Sequence, residues 1–176
     1  MEDLIEKIIK GDAKAFNELF IYLYSDLFKI AKTRLLHNED IEDAIQDTMI
    51  EVYKSVKNLR DISKAKAWII KILVNKCNKI YRKKYNKNLS IEEYNLEEYL
   101  QNTDMDYVEA DIEFYSLLEG LKYNEKIILV LYYAENYSIK EIQKIINMKE
   151  NTIATNLYRA RKKIEEKMKR EVENER

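Results

Sequence analysis

The chain has 176 residues, of which 46% are apolar and 36% charged, so it can fold around one or two modest cores. Two glycines and no proline exclude collagen-like repeats, glycine-rich phosphate loops and most tight-turn β architecture. The only cysteine and the only histidine, Cys77 and His37, exclude an intramolecular disulfide and supply too few soft ligands for catalytic zinc.

The sequence carries no signal for export or for membrane insertion. Its first residues, MEDLIEKIIKGD, lack a basic start and an unbroken apolar stretch. No window approaches the roughly 18 uncharged residues that a membrane-spanning helix needs. We therefore expect a protein of the cytoplasm, without direct membrane insertion, and we expect neither a metal nor another cofactor.

Charge is segregated along the chain, although the net charge is only −1. Residues 1–85 hold 17 Lys/Arg against 13 Asp/Glu, residues 86–116 hold 1 against 9, and residues 117–176 hold 13 against 10. Within the first block, residues 37–51 hold six acids and no Lys/Arg, whereas residues 52–87 hold twelve basic residues and one acid. Such blocks suggest two charged partners of opposite sign, and the alternative is that each run is a solvated face.

Apolar residues recur with helical spacing through most of the first half. A short helix is predicted over residues 3–10, with Gly11 ending it and Asp12 capping the next helix. The third helix starts near Asn38 and reaches about residue 59, and the fourth spans about residues 64–85. The second helix has its predicted core stripe at Phe16, Leu19, Phe20, Leu23, Leu27, Ala31 and Leu35, and the third at Ile41, Ala44, Ile45, Thr48, Met49, Val52, Tyr53 and Val56.

The periodicity weakens after residue 86 and resumes near residue 112. Ser138 and Glu141 form a capping-box signature before a short helix, and Asn147 accepts the left-handed conformation of a tight corner. A longer helix follows from about Asn151, with Ile153, Leu157, Ala160, Ile164 and Met168 facing inward. We therefore predict an all-α fold with a four-helix domain at 1–87, an acidic linker at 88–110, and a domain of three to four helices at 111–176.

The second domain has the pattern of a helix-turn-helix, whose second helix fits the major groove of DNA. The exposed face of that helix carries Thr155, Asn156, Arg159, Lys162 and Lys163, and such side chains contact base edges and phosphates. An ordinary bundle with a solvated face is the alternative. The basic fourth helix also suits nucleic acid, although Trp68 in its apolar run AWII is typical of a core residue. The carboxylates at 39–47 lie on a charged face with no catalytic partner, so no catalytic site is predicted.

Several motifs together resemble one family. They are GDAKAFNELF, LFKIAKTRLLHNEDIEDAIQDTMIEVY and KAWIIKILVNKCNKIYRK in the first domain, and YNEKIILVLYYAENYSIKEIQKIINMKENTIATNLYRARKKI in the second. In this order they resemble the extracytoplasmic-function (ECF) sigma factors, the small two-domain specificity subunits of bacterial RNA polymerase. The resemblance covers nearly the whole chain.

The resemblance implies a role for each charged surface. The acidic face of the third helix would bind a basic coiled coil of the core polymerase clamp, through Glu39, Asp40, Glu42, Asp43, Gln46 and Asp47. The fourth helix and the loop before it would bind and help to open the minus-ten element of promoter DNA, through Arg60, Lys64, Lys71, Asn75 and Arg82. The last helix would read the minus-thirty-five element, through Thr155, Asn156, Tyr158, Arg159, Lys162 and Lys163.

The family also implies a membrane-bound anti-sigma factor that traps both domains. This chain departs from the family pattern at five positions: Lys122 replaces a common proline, Asn147 and Asn151 stand where glycine is common, and Ala154 and Asn156 replace frequent basic residues. Two other functions fit the same features. A free-standing helix-turn-helix regulator would bind its DNA site tightly without polymerase, and a non-catalytic helical adaptor would show no salt-dependent DNA affinity.

Overall fold

The computed structural model describes residues 1–84 and 115–174, and within these ranges all regular structure is helical. The chain separates into two compact units, one built around the helices before residue 85 and the other around the helices after residue 114. The predicted all-α fold with two helical units is confirmed. The predicted linker at 88–110 lies outside the described residues.

The N-terminal unit contains four α-helices. They are α1 (Glu2–Ile9), α2 (Ala13–Lys32), α3 (Asn38–Ser55) and α4 (Ala65–Lys84). Two 3-10 turns, Val56–Asn58 and Ile62–Lys64, connect α3 to α4, so the α-helical part of the third element is slightly shorter than predicted. Helix α3 packs against both α2 and α4, which positions the acidic and basic segments of the sequence on neighbouring helices.

Local capping signals fix the start of α2. The Asp12 carboxylate accepts hydrogen bonds from the backbone N–H groups of Lys14 at 2.8 Å and Ala15 at 3.3 Å. Gly11, just before the cap, has φ +95°, a conformation that a side chain would strain. The predicted boundary between the first two helices is confirmed.

The core of the N-terminal unit is aliphatic and contains most of the predicted stripes. Fully buried members include Leu19, Leu23, Leu27, Ile41, Ile45, Val52, Ile69 and Leu73. The prediction is wrong for Phe16 and Phe20, which are only half-buried, and for Tyr53, which is 60% exposed. Helices α2 and α3 carry more apolar surface than their mutual packing covers, so these three rings line a groove.

Within residues 115–174, the C-terminal unit contains a helical turn at residues 115–118 and three helices after it. They are α5 (Tyr123–Leu129), which continues into a π-helical turn at Val130–Ala134, α6 (Ile139–Ile146) and α7 (Glu150–Asn174). Helix α5 packs against α7. Without the family's common proline, α5 still starts directly after Lys122, whose backbone N–H donates to Glu125 Oε2 at 2.8 Å.

The corner between α6 and α7 forms as the sequence predicts. Ser138 and Glu141 form a capping box, in which the Ser138 backbone N–H donates to Glu141 Oε2 at 2.9 Å. Asn147 closes α6 in the left-handed region, with φ 53° and ψ 51°. Along α7, Ile153 and Ala160 are fully buried, but the inward prediction is wrong for Met168, which is 53% exposed.

Candidate functional site

Helix α3 presents an acidic face opposite its buried stripe. Five of the six residues predicted there are exposed, namely Glu39, Glu42, Asp43, Gln46 and Asp47. Their spacing of three and four residues brings them onto neighbouring rows of one helix. This set of five is called the acidic face below.

Asp40, the sixth predicted residue, does not belong to the exposed set. It is 2% exposed, and its Oδ1 accepts a hydrogen bond from Lys84 Nζ at the end of α4. That hydrogen bond raises the pKa of Lys84, so the lysine remains charged. Asp40 therefore connects the start of α3 to the end of α4, a role that the sequence pattern did not reveal.

An apolar groove adjoins the acidic face. It has a volume of about 800 Å³ and lies between α2 and α3, with Glu42 and Gln46 of the acidic face on its rim. Its other lining residues include Phe16, Phe20, Tyr24, Ile45, Met49, Ile50 and Tyr53. The rings of Phe16 and Tyr53 meet edge to face with centroids 5.1 Å apart.

The aromatic residues of this groove were predicted as core or were not singled out. The helical spacing of α3 could have identified two of the groove residues as surface residues. Ile50 lies four residues after Gln46, and Tyr53 lies three residues after Ile50, so both continue the exposed rows of the acidic face. An exposed apolar groove beside a single-sign charged face is typical of a protein-binding surface.

Helix α4 brings three of the five predicted minus-ten residues together. Lys71, Asn75 and Arg82 are exposed and are separated by four and seven residues, so they share one face of the helix. The other two, Arg60 and Lys64, lie before α4, and the Lys64 ammonium bonds to the Asp61 carboxylate. Trp68 on α4 is half-buried, not a fully enclosed core residue.

Helix α7 exposes most of the predicted recognition residues. Thr155, Tyr158, Arg159 and Lys162 are exposed, whereas Asn156 is half-buried. Two of the polar side chains bond to their own helix: Thr155 Oγ1 donates to the Asn151 carbonyl at 2.8 Å, and Asn156 Nδ2 donates to the Thr152 carbonyl at 2.7 Å. Tyr158, which is 66% exposed, and Arg159 have no such bond to the helix backbone among the described residues.

Two cations at the flanks of α7 bind other residues of the C-terminal unit. Lys163 Nζ donates to Glu125 Oε2 at 2.8 Å, and the Glu125 side chain is 2% exposed. On the other flank, the Arg161 guanidinium lies over the rings of Tyr132 and Tyr133, 5.5 and 5.3 Å from their centroids. Lys163, predicted as a DNA contact, thus joins α7 to α5.

Comparison with known families identifies the two units. A model of Sigma-70 region 2 matches residues 19–86, and a model of Sigma-70 region 4 matches residues 111–164, together more than half of the chain. The chain belongs to the sigma-70 family. In this sigma factor, the region 2 match contains the acidic face, α4 and the groove residues from Phe20 onward, and the region 4 match contains α5, α6 and the recognition residues of α7.

Relatives of this sigma factor carry ECF names. It is 26% identical to the ECF RNA polymerase sigma-E factor of Haemophilus influenzae, over 94% of this chain and 93% of the relative. It is 28% identical to RNA polymerase sigma factor SigV of Bacillus subtilis, over 78% and 81%, and 24% identical to ECF sigma factor SigM of Mycobacterium tuberculosis, over 92% and 81%. The resemblance to the ECF group is confirmed.

Two solved structures share the fold. CnrH, in complex with the cytosolic domain of CnrY, matches with a TM-score of 0.67 at 20% identity, over 96% of both chains. RpoE of Bartonella quintana, in complex with the anti-sigma factor NepR, matches with a TM-score of 0.66 at 21% identity, over 89% of this chain and 98% of that one.

Within the described residues, no helix is long and apolar enough to cross a membrane. The same residues contain no cluster of three or more histidine, cysteine or acidic side chains arranged to hold a metal ion.

Proposed function

We propose that this sigma factor directs core RNA polymerase to a specific set of promoters and promotes the initiation of transcription there. It acts in the cytoplasm and has no enzymatic activity of its own. The observation that carries the proposal is the placement of charge: an exposed acidic face on α3, and exposed cationic faces on α4 and α7. The acidic face suits a basic protein, and the cationic faces suit DNA.

The polymerase contact consists of the acidic face and the groove beside it. Opposite charge speeds the encounter with a basic coiled coil and sets its orientation, but contributes modestly to affinity. Burial of two groove rings, the exposed Tyr53 and the half-buried Phe16, adds the apolar contact that holds the complex, because aromatic anchors dominate such interfaces. Asp40 is left out of this contact because Lys84 already binds it inside the unit.

The minus-ten contact consists of Arg60 and Lys64 in the loop, with Lys71, Asn75 and Arg82 on α4. Cations neutralise phosphates, and an amide such as that of Asn75 can bond to a base edge. Opening of the duplex requires only that an extruded base and a separated strand are bound more tightly than the paired form. No covalent step is needed.

The minus-thirty-five contact is centred on Arg159 and Tyr158, with Thr155, Asn156 and Lys162 beside them. A helix of this size fits the major groove, and a bidentate arginine contact to a base discriminates by about 1–3 kcal/mol. Thr155 Oγ1 donates its proton to the helix backbone and can still accept a hydrogen bond from a base, whereas Asn156 keeps its second N–H and its Oδ1 for a base. Lys163 contributes mainly by positioning α7, through its ion pair with Glu125.

A membrane-bound anti-sigma factor is the third proposed partner. The two solved structures named above are complexes of a sigma factor with the cytosolic domain of CnrY and with the anti-sigma factor NepR. We extend that class of partner to this chain because the groove and the acidic face offer an apolar and charged surface of the kind that such a protein recognises.

The direct test is run-off transcription with core polymerase from the same bacterium on fragments of its genome. The intact chain should give discrete transcripts that core polymerase alone does not give, and their 5′ ends define the promoters. The Asp43→Lys variant should no longer be retained by core polymerase in a pull-down. In the transcription assay, about tenfold more of this variant should be needed for half-maximal transcription, because its affinity for core polymerase is lower. Arg159→Ala should keep core association but lose dependence on the upstream element.

Two matched variants serve as controls. Glu18→Lys reverses an exposed acid of the same unit outside the acidic face, and Arg170→Ala removes an exposed arginine of α7 beyond the recognition residues. Both should behave like the intact chain. If the chain binds promoter fragments equally well with and without core polymerase, it is a free-standing regulator, and if it gives no salt-dependent DNA binding in either form, it is an adaptor.

A further inference from the structure

The basic residues of α4 fall into two classes. Three of its lysines pair with acids of neighbouring helices: Lys66 with Asp26 at 2.6 Å, Lys76 with Glu51 at 3.4 Å, and Lys84 with Asp40. The acids lie on α2 and α3, so these pairs fasten α4 to the rest of its unit. Their charges are already balanced, and a phosphate would have to compete with a carboxylate for each of them.

Lys71, Lys79 and Lys83 belong to the second class. All three are exposed, and within residues 1–84 and 115–174 none has an ion pair, a side-chain hydrogen bond or a ring contact. Arg82 is also exposed, and within the same residues its guanidinium donates only Nε–H, to the Asn78 carbonyl at 3.2 Å. These four cations are available to an anion from outside.

Lys79 shares a helix face with the proposed minus-ten residues. Lys71, Asn75, Lys79 and Arg82 follow one another at intervals of four, four and three residues, which keeps them on one side of α4. At a rise of about 1.5 Å per residue, Lys79 lies about 12 Å from Lys71 along the axis. One DNA strand carries a phosphate about every 3.4 Å of duplex axis, so the two lysines reach different phosphates.

We infer that Lys79 binds a phosphate of the promoter beside the contacts of Lys71 and Arg82, and that the paired lysines Lys66, Lys76 and Lys84 bind none. The inference rests on the proposed role of α4 at the minus-ten element. It adds Lys79 to the proposed DNA contacts of α4, although the sequence pattern did not single it out. It also excludes from those contacts the three paired lysines, which the basic composition of the helix alone would include. The ion pairs of the unit thus decide which cations of α4 serve DNA.

The test is the salt dependence of promoter binding by the reconstituted holoenzyme, on a promoter fragment mapped by the run-off experiment. Each phosphate contact lowers the slope of log K against log salt by about 0.7–0.9, because it releases a counterion. Lys79→Ala should reduce the magnitude of the slope by this amount. If the variant and the intact chain bind equally at about 1 M salt, this change of slope weakens binding by the variant about five- to eightfold at about 0.1 M salt. Lys79→Arg should restore both values.

Two control variants make the result specific. Lys76→Ala removes a paired cation of α4, and Lys14→Ala removes an exposed cation at the start of α2. Both should keep the slope of the intact chain. A normal slope for Lys79→Ala overturns the inference, and so does an equal loss for Lys14→Ala, which would reveal a general effect of net charge.

The outcomes also separate this inference from the proposed function. If the intact holoenzyme shows no salt-dependent promoter binding, the proposed function fails and the role of Lys79 fails with it. If the intact holoenzyme binds the promoter and Lys79→Ala binds with the same slope, only the role of Lys79 is refuted.

Discussion

Among the described residues, burial shifts the pKa of a thiol in the N-terminal unit and of a lysine in the C-terminal unit. Desolvation raises the pKa of the Cys77 thiol to about 12, and the residue is fully buried in α4. A thiol with that pKa stays protonated at neutral pH, so it neither binds metal as a thiolate nor attacks an electrophile. Cys77 therefore acts as a small packing residue of the N-terminal core.

Lys126 of α5 is the opposite case, a buried cation whose charged form is disfavoured by desolvation. It is 7% exposed, and burial lowers its pKa to about 8. Between about pH 8 and its ordinary pKa of about 10.5, the unfolded chain binds more protons than the folded chain, so the stability that depends on Lys126 rises with pH across this window. At pH 7 the folded chain bears the full cost of burying the charge.

Lys126→Met should therefore stabilise the protein at pH 7, by about 1–3 kcal/mol, because each pKa unit corresponds to about 1.4 kcal/mol. Its advantage should shrink steadily as the pH rises from about 8 to about 10.5. Urea unfolding of both proteins at several pH values measures the difference. Lys140→Met, a change at an exposed lysine, should give a pH-independent difference, and a constant advantage for Lys126→Met would contradict the prediction.

At the scale of helices, the sequence correctly predicts the caps and corners, because these depend on contacts between residues close together in the chain. Asp12, Ser138 with Glu141, and Asn147 act on backbone groups within a few residues, and each forms the cap or corner expected of it. The apolar period correctly locates α2, α3 and α4. It does not reveal how completely neighbouring helices cover each apolar row, so Tyr53 was expected inside.

Ion pairs between helices are beyond the reach of a local pattern. Asp40 and Asp43 lie three residues apart on α3; the helical period places Asp40 in the row of the core positions Ala44 and Thr48 but does not identify its partner. Their environments differ because Lys84, 44 residues away, reaches one and not the other. Glu125 and Lys163 pair across 38 residues for the same reason. The sequence therefore predicts which helix carries each charge, but not which charges are used internally.

Substitution of Asp40 should affect mainly the stability of the fold, whereas substitution of Asp43 should affect mainly the binding of core polymerase. Asp40→Asn removes a buried charge that binds Lys84, and should lower the free energy of unfolding by about 1–3 kcal/mol with core association retained. Asp43→Asn should leave stability within about 0.5 kcal/mol and weaken core association, because the residue is exposed. Urea unfolding and a core pull-down measure the two effects.

A double-mutant cycle provides the control for this pair. Asp40→Asn and Lys84→Met should couple by about 0.5–3 kcal/mol, because the two residues are in contact. Asp43→Asn and Lys84→Met should combine nearly additively. An Asp40→Asn variant of normal stability that has lost core association would place Asp40 in the polymerase contact instead.

For the whole molecule, the net charge of −1 is the sum of separate acidic and basic surfaces, and each surface has a different proposed partner. The proposed protein contact lies in the N-terminal unit, and the proposed DNA contacts lie in both units. A molecule of this kind is inhibited most effectively by a partner that binds both units at once. Two linked contacts of moderate strength can exceed either alone by about 10²–10⁴ in affinity.

The whole-molecule prediction is that the cytosolic domain of the anti-sigma factor competes with core polymerase. Added to run-off transcription, it should inhibit at a concentration that rises in proportion to the core polymerase present. Asp43→Lys and Arg159→Ala should each weaken its binding to the chain, and the double variant should weaken it further, because the two contacts lie in different units. Glu18→Lys should bind it normally. Inhibition that excess core polymerase cannot relieve would show that the inhibitor uses a surface other than the acidic face and the groove.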